Sequence, residues 1–231
     1  MNSKYLNDNG FFSKPFPVTS LEHEDFKKLY ISKNDFNYII ITSPKALIIL
    51  DKIILNTQVN FTKDIRIFSV GFETTYNLQK LSFTNIVQAN NNSQSLYNLI
   101  VTNTKKEDLG LWIAAKNRSV ELEKNLLNNN RKIEIIEGYS TQPILELPNH
   151  LQTDLIEYDF LNLVIFSSRN VSIAKQILEN YNLFNIVKNK ATLYLNSENV
   201  AKKAESLGWR NIKIIKKNFT KEFLDHIIKL P

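Results

Sequence analysis

The chain has 231 residues, with 29 basic against 23 acidic side chains and a formal net charge of +6. Apolar residues make up 43% and charged residues 23%, which excludes a disordered or fibrous chain and leaves room for one large or two modest cores. The absence of cysteine excludes disulfides, zinc ribbons, iron–sulfur clusters and thiol catalysis, and the scattered His23, His150 and His226 have no metal-ligand spacing.

The N-terminal MNSKYLNDNG lacks the pattern of a signal peptide, and no apolar run approaches the ~18 residues of a membrane span. A cytoplasmic protein with no membrane partner is therefore expected. The basic excess is mild and spread along the chain. It points weakly to an anionic partner, and basic residues are not interleaved with aromatics on one face as nucleic-acid binding requires. No GxGxxG or GxxxxGK[ST] phosphate loop occurs.

In chain order, Lys14 to Thr19 is extended, because Pro15 and Pro17 exclude a helix. Tyr38–Ile41 is the first buried strand, followed by Thr42-Ser43-Pro44 and helical spacing from Ala46 to Ile54. Thr42 or Ser43 caps that helix, and Pro44 suits its first turn. Ile65–Val70 is the next strand, then Gly71 and a helix through Tyr76, Leu78 and Leu81. Leu111–Ala114 leads through Lys116-Asn117-Arg118-Ser119 into Leu122, Leu126 and Leu127. Ile133 to Pro143 is a strand with a proline-marked exit. Leu161–Phe166 precedes Ser167-Ser168 and a helix through Ile173, Ile177 and Leu178. Ala191–Leu195 precedes a polar turn and Ala201, Ala204 and Leu207. Short, near-continuous apolar runs alternating with helices indicate parallel strands buried on both faces.

The pattern repeats. Residues 38–47 resemble 163–171, and 68–83 resemble 194–209, in the same order and at nearly the same offset. This predicts an α/β fold of two similar domains. If 14–19 and 133–143 run side by side, they form a two-stranded linker. The first domain is then 21–138, the second combines 1–20 with 144–231, and 139–143 is linker.

Several segments together resemble one family. They are Ile41-Thr42-Ser43-Pro44-Lys45-Ala46, Val70-Gly71-Phe72-Glu73-Thr74-Thr75 with Leu78 and Phe83, Gly138-Tyr139-Ser140-Thr141, and Ile165-Phe166-Ser167-Ser168, completed by the Ala201–Gly208 helix. In this order, and with the duplication, the chain resembles uroporphyrinogen-III synthase over roughly residues 10 to 230. The resemblance implies two flavodoxin-like parallel-sheet domains, one of them discontinuous, with the family's active site between them. It implies a cyclising lyase that acts on hydroxymethylbilane. The enzyme expels the terminal hydroxyl as water, inverts ring D through a spiro intermediate and closes uroporphyrinogen III. It further implies no cofactor and no metal, a monomer, and a transient contact with hydroxymethylbilane synthase. The eight substrate carboxylates suit a basic protein.

By the same resemblance, Tyr139 is the catalytic residue, a hydrogen-bond donor to the leaving hydroxyl. Thr42, Ser43, Thr74 and Ser168 bind substrate, and their alternative role is helix capping. Lys116 and Arg118 follow the strand ending at Ala114, where open α/β sheets bind ligands, and Arg169, where the family usually has proline, adds a cation.

Two departures stand against full activity. The family's opening strand is missing, since the chain enters at what reads as the following helix, and its loss would leave unpaired backbone and a gapped core. The family's Gly-x-Thr-Ala turn reads Ser197-Glu198-Asn199-Val200-Ala201, with Glu198 repelling an acidic substrate. The alternative function is a non-catalytic small-molecule binder on the same fold.

Overall fold

Chain segments 1–20 with 142–231, and 21–141, form two compact units. The computed structural model describes residues 2–24, 35–56, 61–89, 93–217 and 220–229. The chain begins with α1 (Asn2–Asp8) and passes to the second unit on β1 (Thr19–His23). There follow β2 (Tyr38–Ile41), a 3-10 turn at Pro44–Ala46, α2 (Leu47–Asn56), β3 (Arg66–Val70), α3 (Phe72–Lys80), β4 (Ile86–Ala89), α4 (Ser93–Asn103), β5 (Leu109–Ala115) and α5 (Glu121–Asn128). It returns on β6 (Lys132–Pro143) and continues through α6 (Asn149–Glu157), β7 (Leu161–Ile165), α7 (Ser168–Asn180), α8 (Phe184–Lys190), β8 (Ala191–Leu195), α9 (Glu198–Ser206), β9 (Asn211–Ile214) and α10 (Thr220–Ile228).

In the unit formed by 21–141, β2 is the central strand. All four of its residues are buried, and it pairs in parallel with β3 (Ile40 opposite Phe68) and β5 (Ile40 opposite Trp112). The sheet runs β1-β6-β5-β2-β3-β4. Ile39, Ile41, Ile67, Leu111 and Ile113 face a core with Ala46, Ile49, Leu50 and Ile53 of the following turn and α2, and Leu78 of α3. Tyr38, Ile40, Phe68, Trp112 and Ala114 face the other core, built with Leu96 and Ile100 of α4 and Leu122 and Leu126 of α5. Period-two alternation on a strand covered on both sides produces this split.

The flavodoxin-like expectation needs correction here. Counted from β2, the five parallel strands lie in the order 3-2-1-4-5, not the flavodoxin order 2-1-3-4-5. Composition explains the choice. Third in sequence is β4, which carries Gln88 and is half-exposed over three of its four residues, so it suits an edge. The LGLWIAA sequence of β5 has five buried residues and fits beside β2. The same half-polar character hid β4 from a search for apolar runs.

β1 and β6 are neighbours. Glu24 N–H donates to the Gly138 carbonyl and Ile144 N–H to the Val18 carbonyl, both at 3.0 Å, so one chain rises as the other falls and the pair is antiparallel. The strand starts at Thr19, later than the extended stretch from Lys14, because Pro15 and Pro17 have no N–H to give to a ladder.

In the unit formed by 1–20 and 142–231, β7-β8-β9 is a three-stranded parallel sheet with Leu163 opposite Leu193 and Leu193 opposite Ile212. Its order matches β2-β3-β4, so the repeat read from sequence is a repeat of topology. One face packs on α6, α7, α8 and α9, and the other on α1 and α10. β7 is an edge strand, and a cavity of about 1160 Å³ lies along it, lined in part by Phe16, Leu161, Leu163, Ile165 and Phe166.

Tyr38 shows what two-sided burial costs. It is 1% exposed, its ring meets Phe68 edge-on at 5.6 Å, and its hydroxyl has no partner among the described residues. A Cβ on Gly110 would lie 2.3 Å from the ring, so glycine makes the space. Burial pushes the phenol up to about 12, with Arg131 partly offsetting this and Asp108 adding to it. Tyr38→Phe removes an unsatisfied buried hydroxyl and is expected to raise stability by about 1 kcal/mol in urea unfolding. The unfolded phenol ionises near 10.0 and the folded one near 12, so wild-type stability is full below pH 10.0 and falls as pH rises through that window. The phenylalanine variant is expected to lose less there, as melting at pH 9 and pH 11 would show.

Candidate active site

Strand order marks the edge of the sheet to search for a ligand site. The sheet of β2–β6 reverses direction of growth between β2 and β5, and open parallel sheets bind ligands at the carboxyl ends of such strands. Thr42 and Ser43 follow β2, and Lys116 and Arg118 follow β5, the two strands at the reversal. Tyr139 lies on the neighbouring β6, opposite Ala115, and Lys116 N–H donates to the Tyr139 carbonyl at 2.8 Å. Thr74 lies in the first turn of α3, which follows β3 and packs on the 3-10 turn after Ser43.

Ser43 has the extended backbone of a cap (φ −157°, ψ 146°), and its Oγ accepts from Lys45 N–H at 3.3 Å. The Ser43 hydroxyl also interacts with the Tyr139 phenol, which lowers the pKa of that phenol. Tyr139 is 3% exposed and packed with the α2 core. Burial pushes its phenol up and the Ser43 hydroxyl partly offsets this, so the group stays protonated at neutral pH.

The Tyr139 ring reaches this core through a bulge. β5–β6 pairing runs Ala114 opposite Glu137 and then Ala115 opposite Tyr139, so Gly138 is an extra residue. A Cβ on Gly138 would lie 2.7 Å from Ile49 of α2, so residues 138 and 139 face the same layer in place of alternating.

Thr74 is 2% exposed, so its side chain is turned inward. The hydroxyl that satisfies the turn is that of Thr75, which meets Ser69 Oγ at 2.7 Å and donates to the Gly71 carbonyl at 3.2 Å. Gly71 has φ 80°, a conformation open to glycine, and gives α3 no side-chain cap.

The two cations after β5 differ. The Lys116 side chain is 63% exposed, with Glu24 at 3.9 Å. The Arg118 side chain is 14% exposed, lies 5.3 Å over the Trp112 ring, and pairs with Glu123 and Glu137, each at 2.6 Å. Burial works against its charge, but the hydrogen bonds it donates to Glu137 and Glu123, with the charges of these carboxylates, outweigh burial and raise its pKa. Arg118 is therefore committed to its own loop.

In the other unit, Ser167 caps α7, accepting from Asn170 N–H at 3.1 Å. This leaves Ser168 as the first helical residue, with an exposed Arg169 behind it. Ser197 precedes α9 without making a side-chain cap bond, and Glu198 pairs with Lys216 at 2.9 Å, which offsets the repulsion expected of its charge. Sequence reading passed over Asn117, whose side chain bonds both backbone groups of Thr141. No motif marks such an asparagine.

Among the described residues, no three His, Asp or Glu side chains gather to hold a metal, and no helix is long and apolar enough to cross a membrane. A cavity of about 400 Å³ lined by Phe36, Asp64, Arg66 and Asn85 lies at the amino ends of β2–β4, away from these groups.

A duplicated parallel α/β chain with hydroxyls, an exposed lysine and a buried phenol at the carboxyl ends of its strands has the architecture of the α/β class, in which ligands commonly bind at a sheet's topological switch point. A family model described as uroporphyrinogen-III synthase HemD matches residues 3–224. The chain belongs to the uroporphyrinogen-III synthase family, the cyclising lyases of tetrapyrrole biosynthesis. Its fold is similar to that of uroporphyrinogen-III synthetase from Helicobacter pylori (TM-score 0.62, 18% identity, covering 93% of this chain and 91% of that one). It is also similar to a mutant uroporphyrinogen III synthase from the extremely thermophilic bacterium Thermus thermophilus (TM-score 0.67, 13% identity, 98% and 92% covered). The wild-type Thermus enzyme in another crystal form gives a TM-score of 0.53 at 12% identity, with 99% and 92% covered. No curated protein sequence matches the chain.

Gly138→Ala is expected to destabilise the protein by about 1–3 kcal/mol through overpacking on Ile49. Ile49→Ala in the same chain removes the two carbons nearest the new methyl, so the pair should lose less than the sum of the single changes. Additive losses in denaturant unfolding would place the strain elsewhere.

Proposed function

We propose that this chain cyclises hydroxymethylbilane to uroporphyrinogen III with Tyr139 as the general acid. The observation that carries this reading is a buried phenol, kept protonated by its burial and next to the Ser43 hydroxyl, on the strand beside the switch point. Its proton goes to the terminal hydroxyl of the substrate. The C–O bond breaks, water leaves, and the pyrrole nitrogen delocalises the positive charge as an azafulvene. The azafulvene carbon bonds first to the substituted α-carbon of ring D, giving the spiro intermediate. The bond from that carbon to the ring C bridge then breaks and leaves a new azafulvene on ring C. The free α-carbon of ring D bonds to this bridge carbon and releases its proton, which returns to the phenolate. No proton is consumed overall and no electron changes hands.

The substrate carries its own electrophile, so the protein's main contribution is orientation. Lys116 supplies the exposed positive charge near Tyr139 for an acetate or propionate group. Thr42, at the end of β2, supplies a hydroxyl. Thr74 contributes through the first-turn N–H groups of α3, since its side chain is buried and Gly71 leaves that turn without a cap. By the family resemblance, Ser168 and Arg169 bind substrate carboxylates. Ser43 acts through the phenol, and Arg118 holds the loop that carries Lys116.

The test uses freshly made hydroxymethylbilane, which closes spontaneously to isomer I. After oxidation, the I and III isomers are separated. Dominant isomer III is expected with this protein, and isomer I alone would overturn the reading. Tyr139→Phe is expected to lower turnover to isomer III by several-fold to about a hundredfold with the fold intact. Lys116→Gln is expected to raise KM several-fold while kcat changes little, and its KM should depend less on salt than the wild-type value.

A further inference from the structure

We propose that Asn117 is a positioning residue for Tyr139, an inference that rests on the reading of Tyr139 as the acid. β5 ends at Ala115, and the last backbone rung to β6 is the Lys116 N–H bond to the Tyr139 carbonyl at 2.8 Å. Beyond that point β6 runs on to Pro143 with no further β5 backbone beside it. Asn117 extends the ladder with its side chain. Its Nδ2 donates to the Thr141 carbonyl, and its Oδ1 accepts from Thr141 N–H at 3.3 Å. A carboxamide offers one donor and one acceptor in a plane, so it stands in for one peptide unit.

The position of this clamp gives it a role. The bulge at Gly138 frees β6 from regular alternation, and a bulged strand bends and twists locally. Tyr139 is enclosed by three fixed points. On one side Glu24 N–H holds the Gly138 carbonyl at 3.0 Å, on the other Lys116 N–H holds the carbonyl of Tyr139 itself, and two residues further on Asn117 holds Thr141. The first two bonds fix only carbonyls on the bulge. β1 lines the other edge of β6. On the β5 edge it is the clamp that fixes both backbone groups of a residue beyond the bulge, and so helps set the direction in which β6 leaves it. That direction sets the side-chain vector at 139 and the approach of the phenol to Ser43.

The experiment separates the clamp from the acid. Asn117→Ala is expected to lower kcat for isomer III about tenfold, with KM within twofold. In a Tyr139→Phe background the same change is expected to cause no further loss, because it acts through the phenol. The second readout needs no catalysis. With ring-labelled tyrosine, the Tyr139 resonance, assigned by its loss in Tyr139→Phe, is expected to shift in Asn117→Ala, and its alkaline titration to move with it. An unmoved resonance and titration would overturn the proposal even if turnover fell. Equal losses of turnover with and without the phenol would also overturn it. Full turnover by Tyr139→Phe alone would remove the acid, while the resonance still decides the positioning. Asn117→Asp keeps the acceptor for Thr141 N–H, loses the donor and follows the same readings if the alanine variant does not fold.

Discussion

A strand buried on both faces has no room for chemistry along its length. β2 is such a strand, with Tyr38, Ile39, Ile40 and Ile41 all at 1% exposure or less. Helices cover it on both sides, and β3 and β5 take up its two backbone edges. The only polar side chains it can present lie past its end, at Thr42 and Ser43. The same holds for β5, whose polar residues begin at Lys116. The parallel arrangement then collects these ends on one edge of the sheet, beside the reversal of strand order at β2, where open parallel sheets bind ligands. The proposed site is thus located by how the core is built.

Much of this was legible in the sequence because it rests on local pattern. Apolar runs of four to six residues marked β2, β3, β5, β7 and β8, and Pro44 after Ser43 marked the first turn after β2. The duplication was legible because β2-β3 and β7-β8 keep the same run, turn and spacing. What was not legible depends on partners distant in sequence. β4 is half-polar and β9 is one buried face short of a pattern, so each is held as a strand by its neighbour. Strand order depends on which strand tolerates an edge, a comparison among all of them at once.

The site divides along the same line. Tyr139 and Ser43 could be named from a resemblance in short motifs and Lys116 from its place after a buried strand, and their residue types fit their surroundings. The commitments of Arg118 could not be read. Its two carboxylate partners are on α5 and β6, and Trp112 beneath it becomes a neighbour only when β5 pairs. An arginine next to a crevice reads as a ligand contact until its partners are known. Thr74 and Thr75 make the same point, since adjacent hydroxyls on a helix face different surroundings, and only the fold decides which turns inward.

The electrostatics around Tyr139 suit a neutral acid serving an acidic substrate. Carboxylates stand nearby on Glu22, Glu24, Glu123 and Glu137, and left alone they would repel a ligand with eight negative charges. Each has a partner: Glu22 the Ser140 hydroxyl, Glu24 the Lys116 ammonium, and Glu123 and Glu137 the two arms of Arg118. The Arg118 bonds are short and shielded, whereas the 3.9 Å contact of Lys116 with Glu24 is open to water and weak. In the proposed reading, one cation is thus committed to its own loop while its neighbour is available to the substrate. An acid that is uncharged before reaction would add no further repulsion, and burial raises the pKa of the Tyr139 phenol in that direction.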